Sequence, residues 1–353
     1  MRRILHVITT ISRGGAENQL LILARAQHKT GSEVEVIYLK GEPELLDDFE
    51  SSGVSVNSSL QGKHPLIQLL LLRKYLRGYT GVVHAHLPRA ELLSALSTQD
   101  FLFSRHNAEA FFPGAPRMLS VLLSRMVSYR ARIGIAISEA VKTFLYESVE
   151  INKRCDIPVV YYGIEPVSKK NELTPTIAGI HPKIGTISRL VPQKDLYTLI
   201  RAYSLVLSEF PDAELFIVGS GELEYELKEF AKNLGVDSQI RWLGRMADTE
   251  SFYLSINTFV LSSTYEGFGL VLLEAMNYGV PVVATNISAI PEVIGSDHPL
   301  ISELSHAESF ANNILKSLSP SNRESILAYQ SSRVARFSTD TLIDKLELFY
   351  GKI

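Results

Sequence analysis

The stretch TFVLSSTYEGFGLVLLEAMNYGVPVVAT, residues 258–285, holds the clearest fold signal in the chain. An apolar run ends at Ser263, a glycine-containing turn follows, and an apolar helical segment then runs to Gly279 and Pro281 before a second apolar run. Gly279 is typical of a helix C-terminus, and Pro281 cannot continue the helix. The order of these segments predicts a strand–helix–strand unit with parallel strands.

The same alternation of short apolar runs and helical segments extends over most of the 353 residues. Residues 166–182 interrupt it, because this segment is polar and has no periodicity. We therefore predict an α/β protein with two Rossmann-like, doubly wound domains that face each other across a cleft. The domains are residues 1–165 and 183–337, joined by the linker 166–182. A C-terminal helix at about 338–353 is expected to pack back on the first domain.

Composition and charge narrow the class of protein. Hydrophobic residues make up 46% of the chain and charged residues 21%, as in soluble globular proteins. The net charge of −3 divides into +3 over residues 1–165 and −6 over residues 166–353, and this modest asymmetry does not favour nucleic acid as a partner. Cys155 is the lone cysteine, which excludes an intramolecular disulfide. The N-terminal apolar run is too short for a signal peptide, so we expect a cytoplasmic protein.

Two carboxylates, Glu266 and Glu274, flank the apolar helical segment of the opening stretch. A carboxylate in apolar surroundings needs hydrogen-bond donors, and the adjacent hydroxyls of a sugar can supply two. We interpret Glu274 as a ligand of a ribose diol and Glu266 as a ligand of a second sugar. The structural alternative is that Glu266 interacts with the helix dipole and Glu274 is a satisfied core acid.

Cations and glycines follow other predicted strands of the second domain. Arg189 ends one strand and Lys194 begins the next helix, and such a pair can neutralise a diphosphate. Gly219 and Gly221 can bring backbone N–H groups close to an anion, although a tight turn also explains them. Glu224 stands where a dinucleotide-binding loop has its third glycine, which weakens the hypothesis of an NAD-dependent dehydrogenase.

Together these segments resemble the signature of the retaining glycosyltransferases of family 4, which have the GT-B fold and two glutamates eight positions apart. The resemblance rests on EGFGLVLLEAMNYGVPVVAT (266–285), SRLVPQKD (188–195), VGSGELE (218–224), SRGGAE (12–17) and VVHAHLPRAELLSA (82–95). It implies a hexosyltransferase that moves a sugar from a nucleotide sugar, with UDP favoured, to a saccharide or lipid-linked saccharide. It also implies a family member of the type that acts in the biosynthesis of bacterial surface polysaccharides, such as lipopolysaccharide or capsule.

The resemblance also implies roles for individual residues. The catalytic set is His86, Glu266, Arg189 and Lys194. The donor-binding set is Gly14, Gly15, Gly219, Gly221, Arg245, Met246, Phe268, Gly269, Leu270 and Glu274. The acceptor is expected to contact Arg89, Arg105 and His106 in the first domain. We expect neither a metal nor another cofactor, because the chain has no Asp-x-Asp motif and the sequence shows no third metal ligand beside His84 and His86.

The chain departs from the family pattern at two places. Tyr162-Gly163-Ile164-Glu165 stands where Asn-Gly-Ile-Asp is common, and Ser288-Ala289 replaces a glycine pair. Two alternatives to transfer also stay open at this point. One is a nucleotide-sugar 2-epimerase on the same scaffold, which would release the nucleotide without an acceptor. The other is a non-catalytic protein that binds a sugar nucleotide.

Two segments of the first half, 65–79 and 117–133, combine apolar residues with arginine and lysine. A basic amphipathic helix can lie on an anionic membrane, whereas two ordinary core helices with solvated cations are the alternative. We expect peripheral contact with the inner face of the cytoplasmic membrane through this domain. Changing Arg125 and Arg130 to glutamate should then reduce binding to anionic vesicles.

Overall fold

A computed structural model describes residues 2–167 and 181–353 of the chain. The chain forms two compact units, one of Met1–Glu165 with Phe337–Ile353 and the other of Pro166–Arg336. Most of the predicted linker 166–182 lies outside the described residues. Within the described residues, none of the helices has both the length and the apolar character that crossing a membrane requires.

The first unit is built on a six-stranded parallel sheet with the order β3-β2-β1-β4-β5-β6. Its strands are β1 (Arg3–Ile8), β2 (Glu33–Tyr38), β3 (Ser55–Asn57), β4 (Val82–His86), β5 (Leu102–Arg105) and β6 (Ile133–Ala136). Its helices are α1 (Gly15–Lys29), α2 (Leu46–Glu50), α3 (Pro65–Leu76), α4 (Pro88–Ser97), α5 (Arg117–Arg130), α6 (Glu139–Glu147) and the last helix of the chain, α14 (Thr339–Tyr350). Apart from Arg3, His6, His84 and His86, the central strands β1 and β4 carry apolar side chains, as expected where helices cover both faces of a parallel sheet.

Helix α14 packs against α1 within this unit. Leu342, Leu346 and Tyr350 of α14 are buried in one cluster with Ile4 of β1 and Leu23 of α1. Burying apolar side chains of this size stabilises the fold by roughly 1.5–3 kcal/mol each. The last helix of the chain is therefore part of the core of the first unit.

The second unit is a six-stranded parallel sheet with the order β12-β11-β10-β7-β8-β9. Its strands are β7 (Lys183–Ile187), β8 (Glu214–Val218), β9 (Ile240–Gly244), β10 (Thr258–Leu261), β11 (Val282–Thr285) and β12 (Ile301–Ser302). Its helices are α7 (Leu196–Val206), α8 (Glu224–Asn233), α9 (Thr249–Ser255), α10 (Leu270–Asn277), α11 (Ile290–Ile294), α12 (Ala307–Leu318) and α13 (Pro320–Val334). Strands β10 and β11 pair in parallel on either side of α10 in the chain, as the opening stretch predicts. The two parallel sheets with their helices confirm the predicted α/β class.

Two details differ from the sequence-based expectation. The apolar run IPVVYYG, residues 157–163, predicts a strand, but these residues form only an isolated bridge between Val159 and Ala136. Pro158 lacks the N–H that a ladder needs, although its carbonyl accepts from the Ala136 N–H at 3.0 Å. Strands β3 and β12 were not expected, because two or three residues at the edge of a sheet are too few to give a periodic pattern.

Candidate functional site

The residues predicted to bind the donor in the second unit meet at one edge of its sheet. Strands β8, β7 and β10 are parallel neighbours, and β9 flanks β8, so their carboxyl ends lie side by side. The segments that follow these strands carry Arg189 after β7, Ser220 after β8, Arg245 after β9 and Glu266 after β10. Parallel pairing therefore brings together residues that lie far apart in the sequence.

Two glycines allow the loops after β7 and β8 to touch. Gly219 has a φ of +131°, and a Cβ there would lie 1.8 Å from the carbonyl oxygen of Ser188. A Cβ on Gly221 would lie 2.3 Å from the carbonyl oxygen of Leu190. The Leu190 N–H donates to the Ser220 carbonyl at 3.0 Å. Both glycines are thus required by the fold of this edge, whatever ligand it binds.

Lys194 and Glu266 form an ion pair at this edge, with 2.6 Å between Nζ and Oε1. Their side chains are only 13% and 11% exposed, and Ser263 Oγ donates to the same carboxylate oxygen at 2.6 Å. The backbone holds the two segments together, since the Thr264 N–H donates to the Gln193 carbonyl at 2.8 Å. An ammonium has three N–H donors, so Lys194 can bind a second anionic oxygen while it keeps Glu266.

Two further cations lie in the adjoining loops, and both are exposed. Arg189 donates through Nη2 to Gln193 Oε1 at 3.4 Å, which is a weak hydrogen bond. Arg245 donates through Nε to Ser220 Oγ at 3.0 Å. The neighbouring Met246 is half-buried. Exposed arginines with few hydrogen bonds to the protein can reorient toward a diphosphate.

The N-terminus of α10 faces this same edge. Gly269 precedes the helix with a φ of +91°, and in the part of the chain that the structure describes no side chain caps it. Phe268 and Leu270 on either side are buried. The first N–H groups of a helix carry a partial positive charge, which favours an anion at this end.

Ser288 explains how the chain tolerates the loss of a family glycine. It adopts a left-handed conformation with a φ of +53°. Its Oγ donates to the Glu266 carbonyl at 2.8 Å, which fixes the backbone of the turn that carries this acid. A hydroxyl contact thus offsets part of the strain that a glycine would avoid.

Glu274 is half-buried on α10, and Tyr253 of α9 donates its hydroxyl to Glu274 Oε2 at 2.7 Å. The Tyr253 ring stacks on Tyr278, with 5.5 Å between the ring centroids. Burial raises the pKa of Glu274 to about 7, and the hydrogen bond from Tyr253 acts in the opposite direction. Additional hydroxyl donors would favour the ionised carboxylate and lower this pKa.

Replacing Tyr253 by phenylalanine should therefore raise the pKa of Glu274 further. A hydrogen bond to a charged group contributes about 1.5–3 kcal/mol, which corresponds to roughly one to two pH units. The measurement is a carboxyl-carbon NMR titration of Glu274 in both proteins. Tyr203→Phe is the matched control, because this buried hydroxyl donates to the Ala213 carbonyl instead. An unchanged Glu274 titration in Tyr253→Phe would contradict the assigned contact.

In the first unit, a row of buried histidines extends from the sheet centre. His6 Nδ1 lies 3.0 Å from His86 Nε2, and His86 Nδ1 lies 3.1 Å from His106 Nε2. His84 lies beside them on β4, and His6, His84 and His86 offer ring nitrogens within 4.8 Å of one another, close enough to hold a metal ion. Sequence reasoning missed His6, because only the pairing of β1 with β4 brings it opposite His84.

His86 is 2% exposed, and both of its ring nitrogens are engaged by His6 and His106. Burial, and then the neighbouring His84, lowers the pKa of His86 well below its ordinary value, so the ring is neutral. Contact with a sugar hydroxyl requires one of these two hydrogen bonds to be exchanged. The structure therefore describes His86 as part of a network that sequence reasoning did not predict.

The residues predicted to bind the acceptor differ in their surroundings. Arg105 is 5% exposed and donates to Glu91 Oε2 at 2.7 Å, Glu150 Oε2 at 3.2 Å and Ser124 Oγ at 2.9 Å. These contacts tie α4 and α5 to β5, and they engage the guanidinium that was expected to contact the acceptor. Arg89 is half-buried and donates to Gln68 Oε1 at 2.8 Å.

His106 borders a cavity of about 200 Å³ in the first unit. Glu91 also lines this cavity, and its Oε1 has no hydrogen-bond partner among residues 2–167 and 181–353. Burial raises the pKa of Glu91 to about 7, with Arg105 acting in the opposite direction. Sequence reasoning missed Glu91 because it lies in an ordinary helical segment, and only its burial makes it unusual.

Gly14 and Gly15 open α1 after β1. A Cβ on Gly14 would lie 2.5 Å from Glu17 Oε2, whereas nothing lies within 4 Å of the position that a Cβ on Gly15 would take. Burial raises the pKa of Glu17 to about 7. The backbone at Gly15 is thus open to close approach by a ligand.

Comparison with known proteins gives a family match for each half of the chain. Residues 13–167 match the family model described as Glycosyltransferase Family 4, and residues 174–333 match Glycosyl transferases group 1. The chain is 29% identical over 341 residues to the phosphatidyl-myo-inositol mannosyltransferase of Propionibacterium freudenreichii subsp. shermanii, covering 87% of this chain and 83% of that protein. It is 31% identical over 176 residues to the lipopolysaccharide core biosynthesis glycosyltransferase LpsE of Rhizobium meliloti, covering 48% and 50%.

The fold is also that of solved structures. The Anabaena protein Alr3699/HepE, crystallised with UDP and glucose, superimposes with a TM-score of 0.84 at 18% identity over 100% of both chains. At this identity the likeness concerns the fold. Together with the two family models, which between them span most of the sequence, it shows that the chain belongs to glycosyltransferase family 4 and has the GT-B fold.

Proposed function

We propose that the protein transfers a sugar from a nucleoside diphosphate sugar to a hydroxyl of a saccharide or lipid-linked saccharide, with retention of the anomeric configuration. The observation that carries this proposal is the ion pair of Lys194 with Glu266 at the sheet edge that also presents Arg189, Arg245 and Glu274. Cations suit a diphosphate, and carboxylates suit sugar hydroxyls. An edge that carries both kinds of group fits a sugar nucleotide.

The proposed role of the cations is to stabilise the leaving diphosphate. Negative charge builds on the phosphate oxygen as the glycosidic bond breaks, and Lys194, Arg189 and the N-terminus of α10 are proposed to stabilise that charge. Arg245 and Met246 are proposed to flank the base. From the first unit, Gly15 and its neighbour Gly14 are proposed to contribute backbone to donor binding.

The proposed roles of the acids follow from their partners. Glu274 accepts the hydroxyls of the nucleotide ribose, and Glu266 accepts hydroxyls of the transferred sugar while Lys194 keeps its charge compensated. Because Glu266 is already engaged by Lys194 and Ser263, we do not assign it as a nucleophile. His86 is proposed to hydrogen-bond the transferred sugar.

The proposed reaction therefore proceeds on one face of the sugar. The bond from the anomeric carbon to the phosphate oxygen breaks, and a bond from that carbon to the acceptor oxygen forms on the same side. The acceptor hydroxyl proton passes to the departing phosphate. No metal is needed in this proposal, because protein cations meet the developing charge, so activity should be equal in EDTA and in Mg²⁺.

We propose UDP as the nucleotide of the donor and a lipid-linked saccharide as the acceptor. The Anabaena structure holds UDP, and the two relatives named above act on a phosphatidylinositol lipid and in lipopolysaccharide core synthesis. The test is to screen UDP and GDP sugars for binding and then to measure nucleotide release with and without saccharide acceptors. Release that depends on acceptor supports transfer, whereas release or sugar conversion without any acceptor would point to the epimerase. Proton NMR of the product then reports the anomeric configuration.

We also propose that the first unit contacts an anionic membrane. Helices α3 and α5 both pack against α4 and expose large apolar side chains, with Leu70 and Leu122 each 65% exposed. The exposed Arg125 lies on α5. Exposed apolar groups bordered by cations suit the boundary between acyl chains and anionic headgroups.

Changing Arg125 to glutamate should weaken binding to phosphatidylglycerol vesicles. Each cation near an anionic surface contributes about 1 kcal/mol, so charge reversal should lower affinity roughly 5- to 30-fold. Arg130 is unsuitable for this test, contrary to the sequence-based design, because its Nε donates to the Ala95 carbonyl and supports the fold. Vesicle co-sedimentation is the measurement.

Leu122→Ser tests the contribution of the exposed apolar side chains, and Leu348→Ser is its control. Leu348 is 69% exposed on α14, away from α3 and α5 in the chain. Leu122→Ser should reduce vesicle binding and Leu348→Ser should not. Equal binding of the wild type, Leu122→Ser and Arg125→Glu would refute the membrane proposal.

A further inference from the structure

Gln27 of α1 connects two branches of a hydrogen-bond network that contains the buried histidines of the first unit. Its Oε1 lies 2.8 Å from His6 Nε2, and its Nε2 donates to the Tyr350 hydroxyl at 3.1 Å. The amide is 1% exposed, so water does not compete for these contacts. We call His6, His86 and His106 the histidine row, and it forms the first branch. The second branch runs from Tyr350 to His84.

With the amide oxygen of Gln27 facing His6, proton counting gives the direction of the first branch. Burial lowers the pKa of His6 to about 4 and that of His106 to about 3, so the rings are neutral and each has one N–H and one acceptor nitrogen. The amide oxygen of Gln27 can only accept, and therefore His6 carries its proton on Nε2. His6 Nδ1 must then accept from His86 Nε2, and His86 Nδ1 must accept from His106 Nε2.

The row ends at Tyr162, the residue that departs from the family pattern. His106 Nδ1 is hydrogen-bonded to the Tyr162 hydroxyl, and both groups are buried. Since His106 holds its proton on Nε2, Tyr162 donates to it. A residue that replaces the usual asparagine thus closes the branch with a group that can either donate or accept.

The second branch follows the same rule. The Tyr350 hydroxyl accepts from Gln27, so it donates its proton to His84 Nδ1, 2.9 Å away. His84 then carries its proton on Nε2 and donates to Ser104 Oγ at 2.7 Å. Rotating the Gln27 amide by half a turn would reverse every one of these bonds and leave each ring nitrogen satisfied. The orientation of one amide therefore determines the proton position on four rings.

The same counting bears on metal binding. His6, His84 and His86 could hold an ion by distance, but each ring lone pair already accepts a hydrogen bond from a neighbour. A metal would have to displace protons throughout the network. A hydrogen-bonded network accounts for all of these contacts without any ion.

We propose that Gln27 is a positioning residue that imposes one common tautomer, Nε2–H, on His6, His84, His86 and His106. It thereby fixes which side of His86 donates and which side accepts. This inference rests on the proposed function, in which His86 contacts the transferred sugar. Gln27 itself contacts no substrate and acts through His6 and Tyr350.

Long-range proton–nitrogen NMR of the nitrogen-labelled protein tests the tautomers directly, without any substrate. We expect all four buried rings to show Nε2–H in the wild type. In Gln27→Met, His6 loses its acceptor, and an unpaired lone pair costs less than an unpaired N–H. The three rings of the row should therefore change together to Nδ1–H. Mixed tautomers or a shared Nδ1–H tautomer in the wild type, a change in one ring of the row alone, or a stoichiometric metal ion in purified protein would overturn the proposal.

Gln330→Met is the matched control. Gln330 is 1% exposed in the second unit, donates to the Val280 carbonyl at 2.9 Å and lies 3.3 Å from His298. This variant removes a buried amide beside a histidine, as Gln27→Met does, and it should leave the tautomers of the row unchanged. If Gln27→Met does not fold, the wild-type spectrum still decides whether the four rings share one tautomer.

Kinetics separates this inference from the proposed function. We expect Gln27→Met to lower kcat at least about tenfold, as for other residues that orient a functional histidine, with the Kd for the sugar nucleotide unchanged. An unchanged kcat in Gln27→Met overturns the positioning role and leaves the proposed function standing. A wild type that binds no sugar nucleotide overturns the proposed function, and the tautomer measurement remains interpretable.

Discussion

Replacing Lys194 by alanine is expected to lower turnover about 100- to 1000-fold, the usual cost of removing a preorganised group that stabilises developing charge. Lys194 is the least exposed of the cations at the edge of the second sheet, and a buried charge acts more strongly than an exposed one. The measurement is nucleotide release under saturating donor. Turnover at the wild-type rate in the variant would remove Lys194 from the site.

The stability of this variant must be measured beside its activity. Removing Lys194 leaves the Glu266 carboxylate without its cation, and breaking a buried pair in this way costs about 3–5 kcal/mol. The double variant Lys194→Met with Glu266→Gln should recover much of that stability and remain inactive. Lys228→Ala is the matched control, since Lys228 forms an exposed ion pair with Glu224 in the same unit and should retain both activity and stability.

Replacing Glu274 by glutamine is expected to weaken binding of the sugar nucleotide roughly 10- to 100-fold. Hydrogen bonds to a charged group contribute about 1.5–3 kcal/mol, and an amide accepts ribose hydroxyls less strongly than a carboxylate does. Glu250→Gln is the control, because Glu250 is an exposed acid of α9 that interacts with Tyr278. Titration calorimetry gives both affinities. Equal affinities in the wild type and Glu274→Gln would contradict the ribose assignment.

The same residue predicts a pH dependence. The pKa of Glu274 in the unliganded protein is raised to about 7, and ribose hydroxyls bind its ionised form. Affinity should therefore rise about tenfold between pH 6 and pH 8, and this rise should be absent in Glu274→Gln. The linkage for folding has the opposite sign. An acid whose pKa is raised on folding favours the protonated folded state, so its contribution to stability falls as the pH rises from 4.5 to about 7.

The fold and the placement of the donor residues could be predicted because they depend on local patterns. The apolar runs and the helix stop at Gly279 predict β10, α10 and β11, and parallel strands bring Arg189 and Glu266 to one edge. The ion pair of Lys194 with Glu266 could not be predicted, because the two residues are 72 positions apart. Each of them could also be explained separately as a ligand-binding residue. The same holds for Tyr253 and Glu274, which α9 and α10 bring together.

The first unit was less predictable for the same physical reason. Arg105 follows a strand, as a ligand-binding residue often does, yet Glu91 and Glu150 surround it from other elements. The histidine row depends on the pairing of β1 with β4 and on Gln27 of α1, which a period-two pattern on one strand does not reveal. Buried polar networks are set by tertiary packing, and the sequence carries them only as isolated polar residues in apolar segments.

The central claim is that the second unit binds a sugar nucleotide through Lys194, Glu266 and Glu274. The most direct measurement is calorimetric titration of UDP and GDP sugars into the folded wild type and into Lys194→Ala and Glu274→Gln. We predict saturable binding at one site in the wild type and at least tenfold weaker binding in each variant. No detectable heat with any of these compounds, or equal affinities in all three proteins, would contradict the account.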